Sequence, residues 1–192
     1  MAPCEALVHH VAIPSAHRAP IAPAKMQIST RYHDDAHCIA WLGNVQFILS
    51  REAPSSAIMR TIIRELEALS KDCGGGTGAL LVINSDCKPP SEEARTYIRM
   101  ELAKSSMVAA AQVVEGTGFR GAAMRAVLSV LQLASRARYP MEIFSGVEEG
   151  AHWLSGELRT RLGRSPDASA LVAAVRGLQS TPAPRAPEAK SK

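Results

Sequence analysis

Two short, almost entirely apolar runs constrain the fold of this chain more than any other feature. Residues 79–84 read A-L-L-V-I-N, and residues 107–114 form a second run of the same kind. A strand that is buried on both faces, as in a parallel sheet, shows this continuous pattern. Apolar residues at helical spacing lie in residues 58–69 and 122–134, around the two runs. Strands that alternate with helices predict an α/β domain with right-handed crossovers and a largely parallel sheet.

The other elements follow from turn and capping residues. Residues 29–50 read as a β-hairpin of two strands with Gly43-Asn44 at the turn, which adds an antiparallel part to the sheet. Residues 140–144 predict a fifth strand, and further helices follow Ser91 and Ser145. The prediction is a single domain with a five-stranded mixed sheet, in which a hairpin precedes alternating helices and strands, and with four covering helices.

The predicted domain spans residues 29–163. Residues 164–179 read as a possible short helix, and the tails at 1–28 and 180–192 are predicted to be disordered because proline and small or charged residues dominate them. Met26 lies near the start of the structured stretch and is an alternative start site by this interpretation.

Composition and charge argue against several classes of partner. Aromatic residues make up 4% of the chain, so few rings are present to stack on bases or sugars. The formal net charge of +4 is spread among glutamates along the predicted helices, whereas a nucleic-acid groove needs several cations on one face. No apolar run reaches the roughly 18 residues of a membrane span. The sequence thus argues against nucleic-acid binding and against a membrane span.

The cysteines and the densest polar segment do not predict a metal site. Cys4, Cys38, Cys73 and Cys87 form no C-x-x-C pair and follow no secretory signal, which is typical of reduced thiols in a cytoplasmic protein. Residues 33–38 read H-D-D-A-H-C, but ligands so closely spaced on a strand point to alternating faces. We interpret this segment as a polar turn, and we predict no cofactor.

A glycine-rich turn is the sharpest candidate motif. Residues 116–121 read G-T-G-F-R-G, follow a predicted strand and open a predicted helix, so Gly116, Gly118, Arg120 and Gly121 form a candidate nucleotide- or anion-binding turn. The turn follows the fourth predicted strand instead of the first, and Glu142 lies inside the next strand instead of at its end. A plain glycine turn remains the alternative.

The third predicted helix carries an unusually broad apolar surface, with almost no charge between residues 126 and 134. Val130 and Leu133 stand beside its main apolar stripe. Burial on both sides is one interpretation. The alternatives are a partner or dimer interface at Val130 and Leu133, or the wall of an apolar ligand pocket.

The element order over residues 29–162 resembles that of the STAS domain and its SpoIIAA-like relatives, the anti-sigma-factor-antagonist superfamily. The run at residues 79–84, followed by a proline-broken loop and a helix, and the closing F-S-G-V-E-E-G-A-H-W-L at residues 144–154 carry this resemblance. The resemblance implies a non-catalytic protein-interaction or small-ligand module. In the antagonists, a kinase phosphorylates a serine after the third strand, within a pattern similar to Asp-Ser-Ser-Gly.

The matching segment here is residues 84–91, N-S-D-C-K-P-P-S, which lacks the glycine and the paired serines. Ser85 and Ser91 are the candidate phosphorylation sites that the resemblance implies, and the alternative for Ser91 is a helix cap. No nucleophile elbow, Walker loop or H-E-x-x-H motif is present in the sequence, so no catalytic residue is predicted.

Three functions remain open from the sequence. The first is a non-catalytic cytoplasmic regulatory or interaction module with an unknown protein partner or self-association. The second is nucleotide or anion binding at the glycine turn, with or without catalysis. The third is binding of an apolar small molecule or lipid.

Overall fold

A computed structural model describes residues 27–102, 105–116, 118–135 and 137–182. Within these ranges the chain forms one mixed sheet of six strands, with five helices. The strands are β1 (Ser29–His33), β2 (His37–Leu42), β3 (Val45–Ser50), β4 (Thr77–Asn84), β5 (Met107–Glu115) and β6 (Met141–Phe144). The helices are α1 (Ser56–Asp72), α2 (Glu92–Leu102), α3 (Phe119–Ser135), α4 (Val147–Leu162) and α5 (Ala168–Ser180).

The strands lie side by side in chain order, from β1 at one edge to β6 at the other. β1, β2 and β3 pair antiparallel, and β3 through β6 pair parallel, so the predicted mixed sheet is confirmed. The predicted turn at Gly43-Asn44 joins β2 to β3, and Gly43 adopts a φ of 58° there. That left-handed conformation is one that glycine adopts without steric cost.

The predicted counts of five strands and four helices are wrong. β1 is the additional strand, and its sequence S-T-R-Y-H escaped prediction because a largely exposed edge strand shows no apolar alternation. α5 is the additional helix, in the segment that read as a possible short helix. It runs for 13 residues and buries Leu171, Val172, Val175 and Leu178, so it belongs to the packed domain.

α4 and α5 cover one face of the sheet and form the main core with it. Phe47 on β3 and Leu80 on β4 point to this face and are fully buried. A Cβ added to Gly150 of α4 would lie 2.8 Å from the Val113 Cγ2 atom on β5. The helix therefore approaches the strand more closely than a side chain at that position allows.

α1, α2 and α3 lie on the opposite face and pack more loosely. Ser55 caps α1 by accepting a hydrogen bond from the Ile58 N–H at 3.3 Å, and three glycines at residues 74–76, all with positive φ, follow its end. α1 packs on α2, β3 and β4, whereas α3 packs on β5 and β6. A gap over the middle of the sheet therefore separates α1 from α3.

Several predictions fall outside the described residues. Residues 1–26 and 183–192, which hold most of both predicted tails together with Met26 and Cys4, are among them. In the part of the chain that is described, none of the helices combines the length and the apolar character needed to cross a bilayer.

Candidate functional site

A large cavity occupies the gap between the sheet and helices α1, α2 and α3. Its volume is about 460 Å³, which falls in the range of small-molecule sites. Strands β3, β4, β5 and β6 form its floor, and side chains of the three helices and of the loops before α2 and β6 form its walls. The cavity therefore runs along the length of the parallel strands.

Small side chains on the floor create much of this space. The strand pairing places Gln46, Ala79, Ala110 and Met141 side by side in one row across the sheet. The two alanines in the middle of the row are buried and rise little above the backbone. Ile48, Leu81 and Gln112 form part of the next row along the same face, so the floor is deepest near the amino ends of the strands.

The helical walls are almost entirely apolar. Met59, Ile62 and Leu66 of α1 line one side, and Met124 and Leu128 of α3 line the other. All five side chains are buried, and they belong to small apolar clusters that border the cavity. The helical periodicity that the sequence shows in these two segments thus corresponds to a ligand-accessible surface as well as to packing.

The size of the cavity argues that it is filled. Protein interiors leave few voids larger than a water molecule, so an apolar space of about 460 Å³ is unusually large. Water is a poor filling for an apolar wall because it finds few hydrogen-bond partners there. A small apolar molecule fits the walls better than water does.

The charged residues of the lining mark the end that is open to solvent. Lys88, Glu92 and Arg95 are all exposed, and they lie on the loop before α2 and on its first turn. This end stands beyond the carboxyl end of β4. The inner end, near the amino ends of the strands, is enclosed by Tyr139 and Met107, which are both buried.

Three polar atoms of the lining have no hydrogen-bond partner among the described residues, although they are buried. They are the Gln46 Oε1, the Gln112 Oε1 and the hydroxyl of Tyr139. Burial raises the pKa of Tyr139, so its phenol stays neutral and can donate a hydrogen bond. Because a buried polar group without a partner is costly, these atoms are candidates for hydrogen bonds with a bound molecule that carries a polar group.

Nucleophile chemistry finds no support at this site. Cys87 lines the cavity near its open end, but burial raises the pKa of its thiol and disfavours the reactive thiolate. Ser50 lies opposite His37 in the sheet, yet neither ring nitrogen of His37 has a hydrogen-bond partner among the described residues. The hydrogen bond between nucleophile and base that acyl transfer uses is therefore not formed in this arrangement.

The polar segment at residues 33–38 forms the β1–β2 turn, as predicted. The Asp34 carboxylate accepts hydrogen bonds from the backbone N–H groups of Ala36 and His37 at 2.9 and 2.5 Å, so it holds the turn. Within the described ranges, no cluster of three histidine, cysteine, aspartate or glutamate residues could hold a metal ion.

The glycine turn lies where it was predicted, between β5 and α3, although Thr117 is outside the described residues. Gly116 and Gly118 have φ values of 120° and 87°, and a Cβ at Gly121 would lie 2.5 Å from the Gly116 carbonyl oxygen. These contacts give the glycines a role in the turn itself. Arg120 forms an exposed ion pair with Asp86 at 2.7 Å, so an anion bound at Arg120 would face a carboxylate.

The two candidate phosphorylation sites differ in their surroundings. Ser91 is exposed and caps α2, because its hydroxyl accepts a hydrogen bond from the Ala94 N–H at 3.2 Å. Ser85 is half-buried against Gly116, where an added Cβ would lie 2.7 Å from the Ser85 hydroxyl oxygen.

The outer face of α3 is exposed instead of buried. The exposed fractions of Phe119, Val130 and Leu133 are 88%, 66% and 83%. The inner face of the same helix lines the cavity through Met124 and Leu128. The interpretation that α3 is buried on both sides is therefore wrong, and both functional alternatives for this helix remain open.

Sequence reasoning missed the most informative residues of the cavity. Gln46 and Gln112 are single polar residues inside otherwise apolar strands, and that interruption is the signal that could have identified them. Tyr139 gives no such signal because it precedes a short strand in a loop. Ala79 and Ala110 read as ordinary members of buried strands.

Comparisons of the chain with protein-family models, with curated proteins and with solved structures gave no match.

Proposed function

We propose that this protein is a non-catalytic binding module that holds an apolar small molecule between its sheet and helices α1 and α3. The cavity of about 460 Å³, with apolar walls and an alanine floor, is the observation that carries this proposal. Natural packing leaves few voids larger than a water molecule, so a space of this size points to a ligand. The resemblance to STAS and SpoIIAA-like domains, which implies an interaction or small-ligand module, agrees with it.

A thermal-unfolding panel on the full chain tests this function. Long-chain alcohols and other neutral apolar molecules are expected to raise the melting temperature, because they bind the folded state alone. At a hundredfold excess over Kd the stabilisation is about 2.7 kcal/mol, or roughly 5–10 °C for a domain of this size. Nucleotides and inorganic phosphate form the comparison arm and are expected to give no shift at millimolar concentration. A shift with nucleotides alone would contradict the proposal and favour the glycine turn.

The outer face of α3 favours a second candidate function, self-association. The charged residues of this helix, Arg120 and Arg125, both lie in its first half, so its second half presents Val130, Leu133 and small residues without charge. Two copies can pack these halves together without burying an unpaired charge. One helix face provides less than the about 800 Å² per partner of a standard interface, so we expect weak, concentration-dependent dimers.

Replacing both Val130 and Leu133 with glutamate is expected to abolish this association and leave the fold intact. Both positions are exposed, so the change in unfolding free energy should stay within about 0.5 kcal/mol. Sedimentation equilibrium over a range of concentrations measures the association, and urea unfolding measures the stability. The double substitution Glu157→Gln and Arg161→Gln on α4, an exposed ion pair away from α3, is the control. An unchanged dimer constant in the α3 variant would rule out this surface.

A further inference from the structure

We propose that the inner end of the cavity receives a neutral hydrogen-bond donor of the ligand, so that the ligand is an elongated apolar molecule with a hydroxyl or N–H group at its buried end. This inference rests on the proposed binding function and adds to it the chemical class of the ligand and its orientation. Three observations support this inference: the three polar atoms without partners among the described residues, the exposed position of the charged residues, and the arrangement of side chains on the floor.

The hydrogen bonds of the two glutamines identify which acceptor atoms are left for a ligand. The Gln46 Nε2 donates to the Ile62 carbonyl oxygen at 3.0 Å, and the Gln112 Nε2 donates to the Met141 Sδ at 2.8 Å. Neither acceptor can donate in return, so each amide must turn its Oε1 the other way. Both Oε1 atoms are therefore acceptors without a partner among the described residues, and a ligand has to supply the donor.

Tyr139 adds a third polar atom at the same end. Its hydroxyl is buried and has no partner in the described part of the chain, and the residue is only 8% exposed. A phenol both donates and accepts hydrogen bonds. It can therefore donate to the oxygen of a ligand hydroxyl whose own proton is donated to a glutamine. A ligand hydroxyl can donate to one of the two Oε1 atoms and accept from the phenol, whereas a carbonyl accepts only and leaves both Oε1 atoms unpaired.

The charges of the lining exclude an ionised group at the inner end. Lys88 and Arg95 are its basic residues, and both are exposed at the open end. A carboxylate beside Gln46 and Gln112 would meet two amide oxygens and no cation, and only the second N–H of each amide could pair with it, which is costly in an apolar site. An acid would have to bind in the opposite direction, with its head at the open end and its tail against the three polar atoms.

The floor has room for a ligand between the glutamines. Gln46 and Gln112 lie on β3 and β5, with β4 between them, and neighbouring strands are about 4.8 Å apart, so the two strands stand roughly 10 Å apart. Ala79, which lies on β4 beside Gln46, has a small side chain and leaves that space open, while Leu81 is the β4 neighbour of Gln112. A ligand that lies along β4 therefore passes between the two glutamines, and its one hydroxyl proton pairs with one of the two Oε1 atoms.

Two isomers of equal size test the inference on the full chain. Decanol has a terminal hydroxyl, whereas methoxynonane has the same formula and an ether oxygen that accepts only. Isothermal titration calorimetry is expected to show that decanol binds at least about tenfold tighter, because the ether leaves the acceptors unpaired. Decanoate, the third probe, is expected to bind more weakly than decanol at a pH where it is ionised.

Tyr139→Phe and Gln112→Leu are expected to reduce the ratio of the two affinities by about three- to tenfold, with little effect on methoxynonane. Tyr139→Phe removes an oxygen that has no partner among the described residues, so the variant should melt at the same temperature or higher. A weaker preference for decanol over methoxynonane in this variant therefore cannot come from unfolding. Thr160→Val on α4, which does not line the cavity, is the control variant and should leave the ratio unchanged.

The outcomes separate the inference from the function on which it rests. If both isomers bind equally well, the inner end recognises no donor and the inference is overturned, while the binding function stands. Tighter binding of decanoate overturns the orientation and places the head group at Lys88 and Arg95. If none of the three probes binds, both the inference and the proposed function are overturned.

Discussion

Replacing Ala110 with leucine is expected to abolish binding of apolar ligands and to leave the domain folded and slightly more stable. Ala110 is buried on β5, and its side chain forms the cavity floor between Ala79 and Met141. A leucine at this position extends into the space that the ligand would occupy. Cavity-filling substitutions commonly add about 0.5–2 kcal/mol to stability, and we expect a gain of that size with a loss of affinity of about a hundredfold or more.

Ala111→Leu is the matched control for this prediction. Ala111 is the next residue of the same strand and is fully buried, but it points to the opposite face, in the core beneath α4. Ala111 lies under the α4 backbone at Gly150, where an added Cβ would already be in van der Waals contact with the Ala111 Cβ at 3.7 Å, so a leucine at position 111 meets the close-packed helix. Overpacking should cost about 1–3 kcal/mol.

The two leucine variants are therefore expected to change stability in opposite directions, as measured by urea unfolding. Their ligand affinities are measured by titration calorimetry with decanol. Equal destabilisation of both variants would mean that no free space lies above Ala110, and the proposed site would lose its basis. Retained decanol affinity in Ala110→Leu would place the ligand elsewhere.

Replacing Phe47 with alanine is expected to destabilise the domain by about 3–5 kcal/mol. Phe47 heads the fully buried side chains by volume, and it lies on β3 beneath α4 and α5. Its removal takes away a large apolar surface and leaves a hole that the close-packed face cannot fill. A loss of this size approaches the whole stability of many domains, so the variant should unfold at much lower urea concentration.

Phe119→Ala is the control, since the same truncation is made at a side chain that is 88% exposed at the start of α3. It should change the unfolding free energy by less than about 0.5 kcal/mol. Urea titrations followed by circular dichroism give both values. A cost below about 1 kcal/mol for Phe47→Ala would show that the face under α4 and α5 is not the main source of stability.

The two faces of the sheet explain why these predictions differ. The face under α4 and α5 is close-packed and supplies most of the stability of the domain. The opposite face is loosely covered and holds the candidate site. Position 111 on the first face and position 110 on the second are adjacent in sequence, yet they have different physical roles because successive side chains of a strand point to opposite faces.

Much of the fold could be predicted from the sequence because its signals are local. The structure has strands at the runs of residues 79–84 and 107–114. It also has a helix after Ser55 and a turn at Gly43-Asn44, as predicted. The polar strand β1 escaped prediction, because an exposed edge strand does not need the apolar alternation that marks a buried strand.

The sequence by itself determined the alternation of strands and helices, since each pattern reflects a backbone period that acts over a few residues. Only the tertiary structure decided where the cavity lies. Its floor and inner end depend on Gln46, Ala79, Ala110 and Tyr139, which come together from four separate segments. It also decided that Val130 and Leu133 of α3 are exposed, because burial depends on the position of a whole helix relative to its neighbours and not on the apolar character of one stripe.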